Sequence, residues 1–204
     1  MERSGVDGRT QRRTRNVDVV VNAVLGLLGE GRGWPSASEI ANRAGLSERS
    51  VYRYFDDLDQ LARAAVETQT ARGDHLFQPL DVPEGAGLDE RIDRLVEHRT
   101  AMFDLVGAIV HAARARVGLH GAIAEALDRR RNQMRDQLEA LFAPELTAAG
   151  AGTAAAAEDL LAALEVVTGF EALQILRVDQ GRSGARAKRI MRQVVAALLA
   201  SPGS

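Results

Sequence analysis

Residues 36–55 read Ser-Ala-Ser-Glu-Ile-Ala-Asn-Arg-Ala-Gly-Leu-Ser-Glu-Arg-Ser-Val-Tyr-Arg-Tyr-Phe, and this stretch decides the fold. Its pattern predicts two short helices with a tight turn between them. Ser36 is a good N-cap, and Glu39 completes a capping box with it. Gly45 permits a positive φ and ends the first helix. Ser47 then caps the second helix, and apolar residues of both helices face one core.

This arrangement is a helix-turn-helix pattern, in which the second helix enters the major groove of DNA. Arg49 can bind the guanine edge with two hydrogen bonds, and Ser50 can bond to either kind of base. Tyr52, Arg53 and Tyr54 are candidate phosphate contacts, which fix position rather than sequence. Two short capped helices also occur in all-α proteins of other functions, so periodicity alone leaves DNA binding open.

The identities of the residues carry more information than their periodicity. The segment Ile40-Ala41-x-x-Ala44-Gly45-Leu46-Ser47-x-x-Ser50-Val51-Tyr52-x-Tyr54-Phe55 resembles the DNA-binding domain of the tetracycline-repressor (TetR) family of bacterial transcription regulators, and Asp57, Asp59 and Leu61 extend the match. The resemblance covers the first third of the chain. It implies a dimeric regulator, most often a repressor, that binds a palindromic DNA operator and responds to a small-molecule effector of unknown identity.

The start of the fourth predicted helix departs from that family's pattern. The family usually carries a lysine there, which pairs with a DNA phosphate, whereas this chain has Leu58 preceded by Asp56 and Asp57. An alternative therefore stays open, namely a helical ligand-binding or protein-interaction module with weakened DNA binding.

Positive charge is concentrated at the amino-terminal end of the chain. Residues 1–55 hold nine arginines against six acidic residues, while the remainder holds 17 basic against 22 acidic residues. This distribution is expected if only the amino-terminal part meets DNA. Arginines in residues 1–16 can follow phosphates or enter the minor groove. The candidate DNA contacts are Ser36, Arg49, Ser50, Tyr52, Arg53, Tyr54, Arg12, Arg13 and Arg15.

Composition indicates an all-α protein, because Ala, Arg and Leu dominate and proline is scarce. The chain has no cysteine, which excludes disulfides and fits a cytoplasmic location. No apolar run approaches the roughly 20 residues that span a membrane. The amino terminus lacks the apolar region of a secretory signal. We therefore expect no membrane partner.

We expect an amino-terminal three-helix helix-turn-helix domain and a larger carboxyl-terminal helical bundle domain, with about nine helices in all. The predicted domains are a flexible basic arm (1–16), the DNA-binding domain (17–56), a connecting helix (57–75), an effector-binding and dimerisation domain (76–200) and a tail (201–204). Within the larger domain we expect a helix break near Gly107, a linker at 147–157 and one continuous helix over 159–178.

The larger domain carries the candidate effector pocket and the candidate dimer interface. Large or adaptable residues of the inward stripes are the pocket candidates: Arg99, Met102, Phe103, Val106, Val110, Met134, Leu138 and Phe170. The helix over 159–178 is apolar around most of its circumference and needs burial on two sides. Either the last two helices are central in a monomer, or they form a dimer interface, as the resemblance implies. The interface candidates are Leu160, Leu164, Val167, Ile175, Ile190, Val194 and Leu198.

Nothing in the sequence indicates an enzyme or a cofactor. The chain lacks a Gly-x-Ser-x-Gly elbow, a phosphate-binding loop and a His-Glu-x-x-His motif. Its four histidines form no i, i+4 pair, so a metal site is not expected.

Overall fold

The regular elements of the protein are helical throughout the residues that its computed structural model describes, 4–30, 34–114 and 121–200. The helices are α1 (Ser4–Gly29), α2 (Ala37–Ala44), α3 (Glu48–Tyr54), α4 (Leu58–Arg72), α5 (Leu88–Arg114), α6 (Gly121–Leu141), α7 (Ala143–Gly150), α8 (Ala154–Thr168), α9 (Phe170–Gln174) and α10 (Gly184–Ala200). A 3-10 turn (Asp74–Phe77) follows α4, and a π-helical turn (Ile175–Asp179) follows α9. The all-α prediction is confirmed.

The chain divides into two units. The first comprises Met1–Arg72 with Ala108–Ile123, and the second comprises Gly73–Gly107 with Ala124–Ser204. The predicted DNA-binding domain lies within the first unit, and most of the predicted effector domain lies within the second.

The core of the first unit joins α1 to α2, α3 and α4. Val24 of α1, Ile40 of α2 and Leu61 of α4 are fully buried, and Val51 of α3 is 1% exposed. These residues are the apolar positions of four helical stripes, so a helix-period pattern in the sequence positions the helix-turn-helix unit.

Helix α1 begins much earlier than the sequence predicted. Residues 1–16 were expected to form a flexible arm, yet α1 starts at Ser4, while residues 1–3 lie outside the described part. The apolar turns that contain Val20, Val21 and Val24 are buried in the core, and extending a helix that already exists costs little per residue. Arginine and glutamine are good helix formers, so the polar segment continues the helix without an apolar face.

Helix α5 is continuous where a break was expected at Gly107. A Cβ atom at this residue would lie 2.9 Å from Cδ2 of Phe103, because the phenyl ring rests on the glycine backbone. Gly107 is itself buried. The glycine therefore provides space for a neighbouring ring one turn away and does not end the helix.

The segment predicted as a linker at 147–157 is largely helical. Pro144 lies in the first turn of α7, where a missing N–H costs nothing. Thr153 caps α8 by accepting a hydrogen bond from the N–H of Ala156 at 3.1 Å. Alanine, the best helix former, fills both helices and leaves only residues 151–153 between them.

The helix predicted over 159–178 is interrupted once. Helix α8 ends at Thr168, and Gly169 takes an extended conformation with ψ 169° before α9 begins. The core of the second unit includes Leu164 of α8, Leu173 of α9 and Met191 of α10, all at most 2% exposed. In the part of the chain that the structure covers, no helix is both long and apolar enough to cross a membrane.

Candidate functional site

The turn between α2 and α3 is fixed by two caps that the sequence predicted. Ser36 Oγ accepts from the N–H of Glu39 at 3.3 Å, and Glu39 Oε2 accepts from the N–H of Ser36 at 2.8 Å. Gly45 has a φ of 67°, and the N–H of Leu46 reaches back to the carbonyl of Ala41 at 2.9 Å. These bonds satisfy both ends of α2 and set the direction in which α3 leaves the turn.

Helix α3 is anchored at both ends. Ser47 Oγ accepts from the N–H of Ser50 at 3.2 Å and lies 2.9 Å from Ser50 Oγ. Val51 and Phe55 are buried in the core of the first unit. This anchoring leaves the opposite face of α3 to solvent, and Arg49, Tyr52 and Arg53 all lie exposed on it. Tyr52 is 48% exposed, an unusual exposure for so large a ring.

The Tyr54 hydroxyl ties the recognition face to α1. It accepts from Nδ2 of Asn16 and from Nη2 of Arg53, each at 2.7 Å. The bond from Asn16, followed by that from Arg53 and the nearby charge of Arg13, lowers the pKa of Tyr54. With both acceptor positions occupied, the phenolic proton is left to donate outward, as a phosphate contact requires. Sequence reasoning missed Asn16, since no local pattern pairs it with a residue 38 positions away.

The amino-terminal arginines lie on a helix and not on a flexible arm. Arg12, Arg13 and Arg15 are exposed on α1 upstream of Asn16. Asn16, which follows Arg15 on α1, donates to the Tyr54 hydroxyl at the carboxyl end of α3 at 2.7 Å. The structure therefore brings positive charge from α1 and α3 together.

Ser36 has a structural role in this arrangement. Its hydroxyl donates to Glu39 Oε2 at 2.7 Å, and its N–H donates to the same carboxylate. Both donors of Ser36 therefore take part in the capping box, which positions α2. Its contact with DNA stays a prediction.

The start of α4 explains one of the two aspartates that precede Leu58. Asp57 Oδ1 accepts from the N–H of Gln60 at 2.6 Å, which makes Asp57 the cap of α4. Gln60 Oε1 in turn accepts from the N–H of Asp56 at 2.7 Å, while the Asp56 side chain is exposed. Leu58, the first residue of α4, is half-buried.

The predicted pocket residues divide by burial. Arg99, Met102, Val106 and Leu138 are buried in the second unit, whereas Phe103, Met134 and Phe170 are half-buried there. The rings of Phe103 and Phe170 lie 6.5 Å apart between centroids. Val110 is half-buried and falls in the first unit. The pocket itself stays a prediction.

A buried polar cluster surrounds Arg99. Its Nη1 donates to Gln137 Oε1 at 2.5 Å, and its Nη2 donates to the carbonyl of Met134 at 2.9 Å. Gln137 Nε2 donates to the carbonyls of Leu76 and Gln78. His98 Nε2 donates to the Leu76 carbonyl at 2.6 Å, and burial, with a smaller effect of the Arg99 charge, lowers the pKa of His98. Sequence reasoning found Arg99 but missed Gln137, which is 61 residues away from Leu76.

The predicted interface residues are also divided. Leu160 and Leu164 lie in the core of the second unit, at 8% and 0% exposure, so they have no surface to offer a partner. Val167, Ile190 and Leu198 are half-buried, and Ile175 and Val194 are exposed. The sequence missed two further valines on this segment, Val166 and Val178, which are 72% and 59% exposed.

Histidine and carboxylate side chains do not assemble into a metal site among the described residues. His98 donates to a backbone carbonyl, and His75 and His111 are exposed. His120 lies outside the described residues.

Comparison with known proteins agrees with this geometry. Residues 31–65 match the family model described as bacterial regulatory proteins, tetR family. A transcriptional regulator from Rhodococcus sp. matches 90% of this chain and 96% of its own at 18% identity, with a TM-score of 0.65. A tetR-family transcriptional regulator from Streptomyces coelicolor matches 94% of this chain and 81% of its own at 21% identity, with a TM-score of 0.62. No curated protein matches the sequence. At these identities the structural likenesses show a shared fold.

Proposed function

Since residues 31–65 carry the amino-terminal domain of the tetR family of bacterial regulatory proteins, on a chain with the fold of its regulators, we propose that this protein is a DNA-binding regulator of transcription. It binds a palindromic operator as a homodimer and responds to a small molecule held by its second unit. Its site of action is the cytoplasm, where bacterial DNA lies. Repression is the proposed sign, because occupying a promoter is enough to block it.

The exposed face of α3 is the observation that carries this proposal. Caps at Ser36, Gly45 and Ser47 fix the turn, so α3 presents its amino-terminal residues at a set angle. Arg49 has no hydrogen-bond partner among the described residues, so its guanidinium is free to donate two hydrogen bonds to the O6 and N7 atoms of a guanine. On the same helix, Tyr52 and Tyr54 supply hydroxyl groups that can donate to DNA phosphates.

Exposed apolar side chains support the proposed dimer. Seven large apolar side chains of the described residues are well exposed, and four of them lie between residues 166 and 194: Val166, Ile175, Val178 and Val194. Burying such side chains in an interface removes apolar surface from water, which is favourable by about 25 cal/mol for each Å² buried. Two subunits related by a two-fold axis would place two recognition helices roughly 34–36 Å apart, one turn of DNA.

Titration of duplex DNA at several salt concentrations tests the proposal. A regulator with several phosphate contacts shows log K falling against log salt with a slope of about −0.9 per contact. The alternative module with weakened DNA binding, suggested by Leu58 and Asp56, shows no binding to any duplex at low salt. The protein must remain folded at every salt concentration, whether or not it binds DNA, and circular dichroism checks this.

A further inference from the structure

The second unit contains a buried positive charge that its own residues leave uncompensated. Arg99 is 1% exposed, and two of its five N–H groups donate to Gln137 Oε1 and the Met134 carbonyl. Its Nε has no acceptor among the described residues. Both acceptors it does have are neutral, and no carboxylate of the described residues forms an ion pair with it. Burial alone lowers the pKa of Arg99 to about 10, so the group remains charged at neutral pH.

A buried cation without a counter-ion is unfavourable, because it has lost its hydration and no anion compensates for that loss. Other arginines of this unit do have such partners. Arg91 and Glu145 form a pair with two bonds of 2.8 and 2.6 Å, and Arg135 contacts Glu165 at 2.8 Å. Arg99 therefore differs from these other arginines of the second unit in having no carboxylate partner among the described residues.

We infer that the effector of this protein is a small organic carboxylate, and that Arg99 binds it between α5 and α6. A carboxylate is planar and accepts two parallel hydrogen bonds from one edge of a guanidinium, which includes the unused Nε–H. The neighbouring Met102 and Met134 are adaptable side chains that can repack around the apolar part of such a ligand. This inference rests on the proposed ligand response and names the chemical class of the ligand.

The same cluster provides a route from the ligand to the chain that leads to α4. Gln137 accepts from Arg99 and donates to the carbonyls of Leu76 and Gln78, and His98 donates to Leu76 as well. Residues 73–78 continue directly from α4. A bound carboxylate attracts the Arg99 guanidinium and weakens the hydrogen bond from Arg99 to Gln137. The hydrogen bonds from Gln137 to the carbonyls of Leu76 and Gln78 then change as well. A ligand with this differential contact can shift the population of DNA-binding geometries.

Binding by the full chain, in the absence of DNA, tests the inference. The probes are the straight-chain carboxylates from acetate to decanoate, together with benzoate. Each is compared with its primary amide by thermal shift and calorimetry. The amide has the same shape without the charge. We expect at least one carboxylate to raise the melting temperature while its amide does not. Equal stabilisation by acid and amide, or no stabilisation by any acid, overturns the inference.

Variants assign the effect to one residue. Arg99→Met should weaken carboxylate binding by about 100-fold, because two charge-assisted hydrogen bonds are lost. Arg94→Met, an exposed arginine of the same helix, should leave it unchanged. If Arg99→Met does not fold, Arg99→Lys keeps the charge but loses the planar fork and should bind about tenfold more weakly. Undiminished binding by a folded Arg99 variant overturns the assignment.

Failure of the carboxylate site and failure of the regulator proposal give different results. A protein that binds operator DNA, yet shows no carboxylate binding that depends on Arg99, contradicts only the site. A protein that binds a carboxylate through Arg99, yet binds no duplex, contradicts only the regulator. When both bindings occur, the carboxylate should change operator affinity in the natural protein and not in Arg99→Met.

Discussion

Replacing Leu58 with lysine restores a positive charge at the first residue of α4, where the resembled family places a phosphate contact. The position is half-buried, and Asp57 immediately before it caps the helix through Gln60. A side chain at the start of a helix leans toward its amino terminus, so the new ammonium group lies beside the exposed Asp56. We expect Leu58→Lys to bind all duplexes more tightly.

The size of the gain follows from counter-ion release. One additional phosphate contact steepens the slope of log K against log salt by about 0.9, which corresponds to about fivefold tighter binding at 0.15 M salt. Attraction of the ammonium to Asp56 competes with the phosphate, so fivefold is the upper limit for the single variant. A positive charge in the first turn of a helix opposes the helix dipole by about 0.3–1 kcal/mol, and this loss in unfolding free energy adds to that of the half-buried leucine contact.

Fluorescence anisotropy with a random-sequence duplex, at several salt concentrations between about 0.05 and 0.3 M, measures both the affinity and the slope of log K against log salt. Leu58→Gln is the matched control, because it loses the same apolar contact without adding charge. Asp56→Asn in the Leu58→Lys background should raise the affinity further. A slope for Leu58→Lys equal to that of Leu58→Gln would refute the idea that this position faces a phosphate.

Three further substitutions test the recognition helix, the fold and the proposed dimer. Arg49→Lys should keep its affinity for random DNA but lose about 1–3 kcal/mol on the operator, since lysine lacks the bidentate fork; equal losses on both would assign Arg49 to phosphate. Arg91 lowers the pKa of Glu145 by hydrogen bonding, so the pair stabilises the fold above the unfolded pKa and loses this effect as pH falls through the folded value. Glu145→Gln should therefore unfold more easily than the natural protein at pH 7, by about 1 kcal/mol, with the gap narrowing below about pH 4.5 in denaturant titrations; a constant gap would contradict this. Val178→Asp should shift the protein toward monomer in sedimentation equilibrium, whereas Val19→Asp, an exposed valine of the other unit, should not.

The helix-turn-helix unit was predictable because its signals are local. Ser36, Gly45 and Ser47 each act within five residues of their own position, and the structure contains all three caps. The apolar stripes of α1, α2 and α4 likewise follow helical periodicity, so burial of Val24, Ile40 and Leu61 could be read from spacing.

The sequence-based predictions failed in two situations. In one, a residue acts through a partner distant in sequence; in the other, the residue type is compatible with two different local structures. Glycine ends many helices, but Gly107 instead makes room for Phe103 within one. Proline breaks a helix interior and favours a helix start, and Pro144 serves the second role. The bonds from Asn16 to Tyr54 and from Gln137 to Leu76 join residues 38 and 61 positions apart, and periodicity contains no information about them.

Selection of random duplexes by the purified protein, at about 0.15 M salt and followed by sequencing, tests the central claim most directly. The account predicts enrichment of a palindrome whose half-sites lie about one helical turn apart, with guanine at the positions that lose selectivity in Arg49→Ala. A folded protein that retains no sequence above background, with and without the carboxylate series present, would contradict the account.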